Sequence, residues 1–513
     1  MKPTNELFYL IKSLTKSEKR YFKLYSSLQS GEKNYLKLFD AIEKENTYDE
    51  NIIKVKLKDA AFIKHFPSEK NHLYSQILKS LRMFHSESSI SSILKELLQD
   101  IEILYNKTLY NECNKVVNRA KKISYEYEKF DYIFEILNWE KQLADEEQLF
   151  GDLETNLDQL NREEVENILK MRNLGEYQML YSQINYVFRQ GGYSRNEKER
   201  EIVERVSNHP LIVGKNTALS VRASTMCYYI KGLCAITNND FDDTISFFLK
   251  VLEKMDKNPS IAKDLQKRRV KTFNYLLLAY NEAGQHENFF ALIDTMKGFV
   301  EKEEYKNVDL KMKIFMSTSN SELLAYARMG DFEKGIKKLD SIVNGMAEFE
   351  GKINKESEIL FYYNVAYLCF GAGEFNKALV WVNKLLNDNE AKVRHDICSF
   401  ARILNLLIHF ELQNIDLLEY ITKSTQRYHI KHKRDYKFEM LILRYFKKMA
   451  KTADPEKRRI LFKVIKSGLQ EIVKDSNEKI ALQYIDFISW LESKINQRSF
   501  AEIVKEKAVS KLL

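Results

Sequence analysis

Proline and glycine are scarce in this chain. The 513 residues include 5 prolines and 16 glycines, whereas about 5% and 7% are usual. Proline lacks a backbone donor and clashes with the preceding helical turn, so helical proteins contain little of it. The prolines stand in polar or turn-like contexts, and none lies between Pro259 and Pro455. We therefore predict an all-α fold.

Cysteine pairs and long apolar runs are also missing. The five cysteines are scattered without a C-x-x-C pair, which predicts buried, reduced thiols. No apolar run approaches the ~20 residues that span a bilayer. The N-terminal stretch "MKPTNELFYLIKSLTKSEKRYF" has no apolar signal-peptide core. We therefore expect a soluble cytoplasmic protein with no membrane partner.

The chain lacks the common catalytic and nucleotide-binding motifs. There is no G-x-x-x-x-G-K-[ST], G-x-S-x-G, H-E-x-x-H or G-x-G-x-x-G. His429 and His432 are three residues apart, but cations flank them and no third metal ligand is near. The acidic group Asp145–Glu147 fits a solvated helix end. We predict no enzyme activity, no cofactor and no metal site.

What the sequence does contain is a repeated turn. In "AYARMGDFEKGIKKLD", Gly330 is followed two residues later by Phe332, then by the small Gly335 and the apolar Leu339. The same offsets recur from Gly373, Asn239 and Gly284. Weaker copies begin at Thr108, Gly151, Gly191 and Gln413.

The eight turns are spaced by 40 to 48 residues. A fixed period in this range indicates a stacked array of one supersecondary unit. Each unit has room for two helices of roughly 15–18 residues. Glycine suits the left-handed residue that ends the first helix. The small residue lets the two helices of a hairpin approach closely, and the aromatic and apolar positions form the buried stripe.

The stretch "FYYNVAYLCFGAGEFNKALVWVNKLL" resembles a tetratricopeptide (TPR) repeat. The residues in the matching places are Tyr362, Val365, Ala366, Cys369, Gly373, Phe375, Ala378 and Val382. The resemblance covers residues ~97–425, with a period longer than the usual 34 residues. HEAT-like repeats share the 40–47 period, but the Gly-x-aromatic turn favours a TPR-like array. The resemblance to TPR repeats implies an α-α superhelix of about eight hairpins between helical capping regions.

The two ends of the chain are basic. Residues 1–90 have a net charge of +5 and residues 421–513 of +11, whereas the middle has −8. Residues 1–90 lack the repeat and are predicted to hold five helices, with a capping box at Thr15 and Glu18. Their last helix has a polar face whose residue types also contact DNA, so this region is either a cap or helix-turn-helix-like. The face comprises Asn71, Ser75, Lys79 and Arg82.

Residues 426–513 are predicted to form a basic C-terminal helical region after the array of residues 91–425. Asp454 is predicted to cap a helix that has Pro455 at its first position. The most basic window, "QRYHIKHKRDYK", interleaves cations with Tyr428 and Tyr436, as sites for single-stranded nucleic acids do. The candidate basic patch is Arg427, Lys431, Lys433, Arg434 and Lys437. The alternative interpretation is a solvated helix surface.

The favoured hypothesis is a scaffold that binds a partner protein or peptide on the concave surface of the array. Candidate residues on that surface are Tyr228, Phe273 and Tyr362. The alternative is a regulator whose basic terminal helices touch nucleic acid while the repeats act as sensor. In layout, such a protein resembles bacterial regulators with a helical DNA-binding head and a TPR body.

Overall fold

The computed structural model describes most of the chain. The described residues are 5–28, 34–45, 47–58, 60–87, 89–146, 153–191, 197–301, 307–349, 351–388, 394–432, 434, 436–452 and 454–510. Within these ranges the secondary structure is helical and contains no strand, which confirms the predicted all-α class. The chain divides into two compact units, Met1–Ile168 and Leu169–Leu513. The boundary falls inside the predicted repeat array.

The first unit begins with five helices around one apolar core. They are α1 (Glu6–Ser13), α2 (Lys16–Ser27), α3 (Asn34–Lys44), α4 (Glu50–Lys56) and α5 (Phe66–Phe84). The predicted capping box is present, because Thr15 Oγ1 accepts from the Glu18 N–H at 3.2 Å and Glu18 Oε2 accepts from the Thr15 N–H at 2.7 Å. Fully buried side chains such as Phe22, Leu38 and Ile77 fill the core between these helices.

The unit continues with α6 (Ile90–Asn106), α7 (Tyr110–Glu126), α8 (Phe130–Glu146) and the start of α9 (Leu153–Gly191). The predicted turn at Thr108 is present, and a similar turn at Glu128 was not predicted. The predicted turn at Gly151 lies outside the described residues. Gly191 is the last residue of α9, a single helix of 39 residues. The prediction of two shorter helices in this stretch is therefore wrong, because nothing between 153 and 191 ends the helix and the isolated Gly175 is tolerated within it.

The described residues of the second unit form short helices and five helix hairpins. The short helices are α10 (Glu197–Ser207), α11 (Pro210–Val213) and α14 (Pro259–Asp264). The hairpins pair α12 (Val221–Thr237) with α13 (Phe241–Asp256), α15 (Gln266–Glu282) with α16 (His286–Phe299), α17 (Val308–Arg328) with α18 (Phe332–Ala347), α19 (Lys355–Gly371) with α20 (Phe375–Leu386), and α21 (His395–Glu411) with α22 (Ile415–Lys431). Beyond the first, each hairpin has its first helix packed against the hairpin before it, so the arrangement is repeat-like.

The turn inside each hairpin has one geometry. At Gly330, φ is +72°, and the Asp331 N–H donates to the Tyr326 carbonyl at 3.0 Å. This bond is the mark of a Schellman helix end, which needs a left-handed residue. Of the seven predicted turn residues that the structure describes, six have a positive φ: Thr108, Asn239, Gly284, Gly330, Gly373 and Gln413. Only three of these six are glycine.

The small residue after the turn packs differently from the prediction. A Cβ atom built on Gly335 would lie 2.5 Å from Leu368 Cδ1. Leu368 belongs to α19, the first helix of the next hairpin, and not to the partner helix α17. The small position therefore permits close packing between successive hairpins. Gly371 has the matching role on α19, since its Cβ would lie 2.1 Å from the Phe332 ring.

The chain after the hairpins folds back onto them. It forms α23 (Lys437–Lys451), α24 (Pro455–Ile472), α25 (Ser476–Lys479), a 3₁₀ turn, α26 (Phe487–Asn496) and α27 (Phe500–Ser510). The Asp454 side chain caps α24 by accepting from the N–H groups of Glu456 and Lys457, as predicted. Trp490 of α26 is buried in the same core as α19 and α21. Lys505 of α27 pairs with Asp331 at 3.0 Å.

Two glycine substitutions separate turn strain from the packing of α27. Gly373→Ala places a Cβ at φ +78° in open space, and we expect the free energy of unfolding to fall by about 1–2 kcal/mol. Gly330→Ala has the same strain, and its Cβ would also lie 2.7 Å from the Lys505 backbone nitrogen. We expect a further loss of about 1–3 kcal/mol from overpacking, measured by urea denaturation.

Hydrogen exchange supplies the control for this pair. Amides of α27 should lose protection in Gly330→Ala and keep it in Gly373→Ala, because only the first substitution collides with α27. Equal loss of protection in both variants would contradict the packing of α27 against the Gly330 turn.

Candidate binding surface

The three aromatic residues predicted for the concave surface do not lie together. Phe273 is buried and stacks on Phe299 of its own hairpin, with ring centroids 5.4 Å apart. Tyr362 is buried beneath Lys384, whose Nζ lies 4.4 Å from the ring centroid. Tyr228 is half-buried, and Lys250 Nζ of α13 lies 5.6 Å from its ring. Each of the three packs against the second helix of its own hairpin.

Side chains of successive first helices meet directly. We call the surface formed by α12, α15, α17, α19 and α21 the first-helix surface. Arg268 Nη1 of α15 donates to Thr225 Oγ1 of α12 at 3.1 Å, and Asn364 Nδ2 of α19 donates to Asn320 Oδ1 of α17 at 3.1 Å. Ser317 of α17 donates to Asn274 of α15. These partners are 43 or 44 residues apart, so they occupy equivalent positions in successive hairpins.

Several tyrosines line this surface that the sequence did not single out: Tyr229, Tyr275, Tyr363 and Tyr367. Two of them directly follow a predicted residue, since Tyr229 follows Tyr228 and Tyr363 follows Tyr362. The pattern of α19 could not distinguish them, because every residue from Phe361 to Gly371 is buried. A helix that is apolar all round is covered on every side and does not mark one face. That all-round burial is the signal that something covers the outer side of α19.

The covering element is the chain's own C-terminal segment. The Tyr363 hydroxyl donates to the Tyr484 carbonyl at 2.8 Å, and the Asp486 N–H donates to the Tyr367 hydroxyl at 3.2 Å. The Tyr484 ring stacks on Phe400 of α21, with centroids 4.4 Å apart and planes at 8°. Tyrosines of the first-helix surface thus hold a short non-helical stretch by its main chain.

Asp396 at the start of α21 anchors the same stretch. It accepts from the Tyr484 hydroxyl at 2.8 Å and from Arg394 Nη2 at 2.7 Å. Burial alone would raise the pKa of Asp396, but the hydrogen bond and charge of Arg394, together with the Tyr484 hydroxyl, outweigh it and hold the pKa at about 2. The carboxylate is therefore ionised throughout the physiological range, and the anchor does not titrate there.

A cavity of about 770 Å³ lies where α26 and α27 meet the turn ends of the hairpins. Its wall includes the rings of Phe370, Phe375, Trp490 and Phe500. One of its charged members, Glu411, is already engaged, because it accepts from Trp490 Nε1 and from Lys494 Nζ, each at 2.6 Å. The wall of the cavity is therefore partly aromatic, and its Glu411 carboxylate is already hydrogen-bonded.

The predicted basic patch is split by the structure. Arg427, Lys431 and Lys437 are exposed, and Lys433 lies outside the described residues. Arg434 differs, because its side chain is only 10% exposed and pairs bidentately with Glu439, at 2.6 and 3.2 Å. Its guanidinium is therefore committed to an internal carboxylate.

Ser399, His429 and Glu439 form a buried polar cluster beside Arg434. Ser399 Oγ lies 2.6 Å from His429 Nε2 and donates to Glu439 Oε2 at 3.0 Å. The residue types are those of a nucleophile, a base and an acid. All three are buried, the serine already donates to the carboxylate, and burial lowers the pKa of His429. The cluster joins α21, α22 and α23.

The polar face of α5 is exposed at all four predicted positions: Asn71, Ser75, Lys79 and Arg82. Its role as a cap or a DNA contact stays a prediction. Among the residues that the structure describes, no three His, Cys, Asp or Glu side chains are grouped to hold a metal ion. In the same residues, no helix combines the length and apolar character needed to cross a bilayer.

All five cysteines are buried and form no disulfide, as the sequence predicted, and burial raises the pKa of each thiol.

The chain was compared with protein-family models, with curated proteins and with solved structures, and none of the three comparisons found a match.

Proposed function

We propose that this protein is a non-enzymatic interaction scaffold of the cytoplasm, built as a TPR-like array. In this proposal an extended segment of a partner protein binds along the first-helix surface, which forms the concave side of the array. Surfaces of this kind hold a segment by shape and hydrogen bonds without chemical change.

One observation carries the proposal: the first-helix surface already holds a short non-helical stretch of chain, Tyr484–Asp486. The Tyr363 and Tyr367 hydroxyls engage the main chain of that stretch on either side of Ile485. Hydrogen bonds to main-chain groups do not depend on the residues bound, so the same chemistry suits a segment from another protein. The recurring left-handed turns support the TPR-like part of the proposal.

Site-specific photo-cross-linking tests the scaffold. A benzoylphenylalanine at Leu278, a half-buried residue of α15 on the first-helix surface, is expected to cross-link one discrete protein in producing cells. The matched control places the same residue at Val343, which is exposed on the second helix α18. We expect an adduct from position 278 only, and we expect that adduct to survive nuclease treatment. Equal adducts from both positions, or none from position 278, would refute the scaffold.

The nucleic-acid alternative has less support from the described residues. It uses the basic window of residues 426–437, and the pairing of Arg434 with Glu439 withdraws one of its cations. An adduct that nuclease removes would favour this alternative.

A further inference from the structure

One end of the first-helix surface is strongly basic. Among the described residues, five cations lie there on α12, α15 and α17, and a sixth lies on the neighbouring α9: Arg222, Lys267, Arg268, Lys271, Lys313 and Arg189. Three carboxylates of the described residues lie nearby and are already paired. Asp264 pairs with Arg222, Asp309 with Lys313 at 2.7 Å, and Glu356 with Arg394 at 3.3 Å.

Contacts between neighbouring helices bring the cations around Lys271 close to one another. Ser317 of α17 meets Asn274 of α15, so one turn earlier on both helices Lys313 comes beside Lys271. Phe188 of α9 packs on the Tyr275 ring at 5.1 Å, which brings the adjacent Arg189 to the same place. Arg268 is one turn from Lys271 on α15.

Arg189, Arg268 and Lys271 have no carboxylate partner among the described residues. Arg268 instead donates to Thr225 Oγ1 at 3.1 Å and lies 5.9 Å from the Tyr229 ring centroid. Partial desolvation of the Lys271 ammonium lowers its pKa, and the charges of Arg189, Lys313 and Arg268 lower it further. A group of like charges held close together is stabilised by a bound anion.

We infer that this basic end of the first-helix surface binds an extended peptide segment that carries three or more aspartate or glutamate residues. The inference rests on the proposed scaffold and names the chemistry of its partner. Arg189, Arg268 and Lys271 pair with the partner's carboxylates. Asn274 and Ser317, on the same surface, are placed beside its main chain, in the way that Tyr363 and Tyr367 engage Tyr484–Asp486.

A nucleic acid is a poorer match to the same place. Single strands bind where bases stack on exposed aromatic faces. Here the Tyr229 ring is buried and the Tyr275 ring is stacked on Phe248 at 5.2 Å. Both rings are therefore engaged inside the protein. The cations also form one compact group rather than a track along a backbone.

Fluorescence anisotropy tests the inference with a fluorescein-labelled peptide of eight glutamates, and the glutamine peptide as a blank. We expect the full-length protein to bind only the glutamate peptide. Lys271→Gln should weaken binding at least fivefold and Arg268→Gln with Lys271→Gln at least twentyfold. Lys271 is exposed, so its single variant tests the idea even if replacing Arg268 impairs folding.

Lys337→Gln is the matched control, because Lys337 is an exposed lysine on the second helix α18. It should change binding less than twofold. Equal weakening by Lys271→Gln and Lys337→Gln would overturn the inference in favour of non-specific attraction. Tighter binding of a twelve-residue oligothymidylate than of the glutamate peptide would overturn it in favour of nucleic acid.

The cross-linking experiment keeps the two proposals apart. An adduct at position 278 that persists unchanged in Lys271→Gln, together with no binding of the glutamate peptide, would remove the acidic partner and leave the scaffold standing. If the protein without Lys271→Gln gives no adduct at position 278, the scaffold proposal itself fails.

Discussion

Replacing Trp490 by alanine is expected to lower the free energy of unfolding around α26 by about 3–5 kcal/mol. The side chain is 1% exposed, and four phenylalanine rings surround it at centroid distances of 5.0 to 6.2 Å: Phe410, Phe446, Phe462 and Phe487. Its Nε1 also donates to Glu411. Hydrogen exchange of the α26 amides across a urea series measures the local loss.

Trp381→Ala is the control for this substitution. Trp381 is the same residue type but is half-buried on α20, so less apolar area leaves water when it folds. We expect no more than about half of the loss seen for Trp490. A Trp490→Ala variant whose α26 amides keep their full protection would show that the C-terminal segment does not pack as described.

Arg434→Ala is expected to destabilise the protein by about 3–5 kcal/mol, because it leaves the fully buried Glu439 carboxylate without its cation. The exposed Arg427, seven residues earlier, is the control, and Arg427→Ala should stay within about 0.5 kcal/mol of the parent. Thermal unfolding followed by circular dichroism compares the two.

A double substitution shows whether the charge itself is the cause. Arg434→Met with Glu439→Leu removes both charges and keeps similar volume, so much of the stability should return. A double variant as unstable as Arg434→Ala would mean that shape, and not an unpaired charge, explains the loss.

The turns were predictable from sequence because their chemistry is local. A helix that ends in a left-handed residue, with an aromatic or apolar residue two positions later, leaves a short signature, and it was readable even where Thr108, Asn239 or Gln413 stands in place of glycine. The 39-residue helix α9 was not predictable in the same way. Residues 153–191 lie between two positions that fit the spacing of the turns, but they include no residue that ends a helix. Spacing alone does not end a helix.

The binding surface was harder to predict because it depends on contacts between distant residues. Tyr363 and Tyr362 are adjacent in sequence, yet one engages the C-terminal segment and the other packs on Lys384. Arg434 was indistinguishable from its exposed neighbours because its partner, Glu439, becomes buried only when α23 packs on α22. The basic group around Lys271 joins residues from four helices, so no window of sequence contains it.

The contact between Tyr363 and Tyr484 has a consequence for synthesis of the chain. The two residues are 121 positions apart, and a ribosome that adds about 5–20 residues per second needs roughly 6–24 s to make that stretch. Throughout that interval the tyrosine face of α19 has no cover. A nascent chain at this stage exposes an apolar, aromatic surface that chaperones can bind. A translation product that stops before Tyr484 would expose that surface permanently.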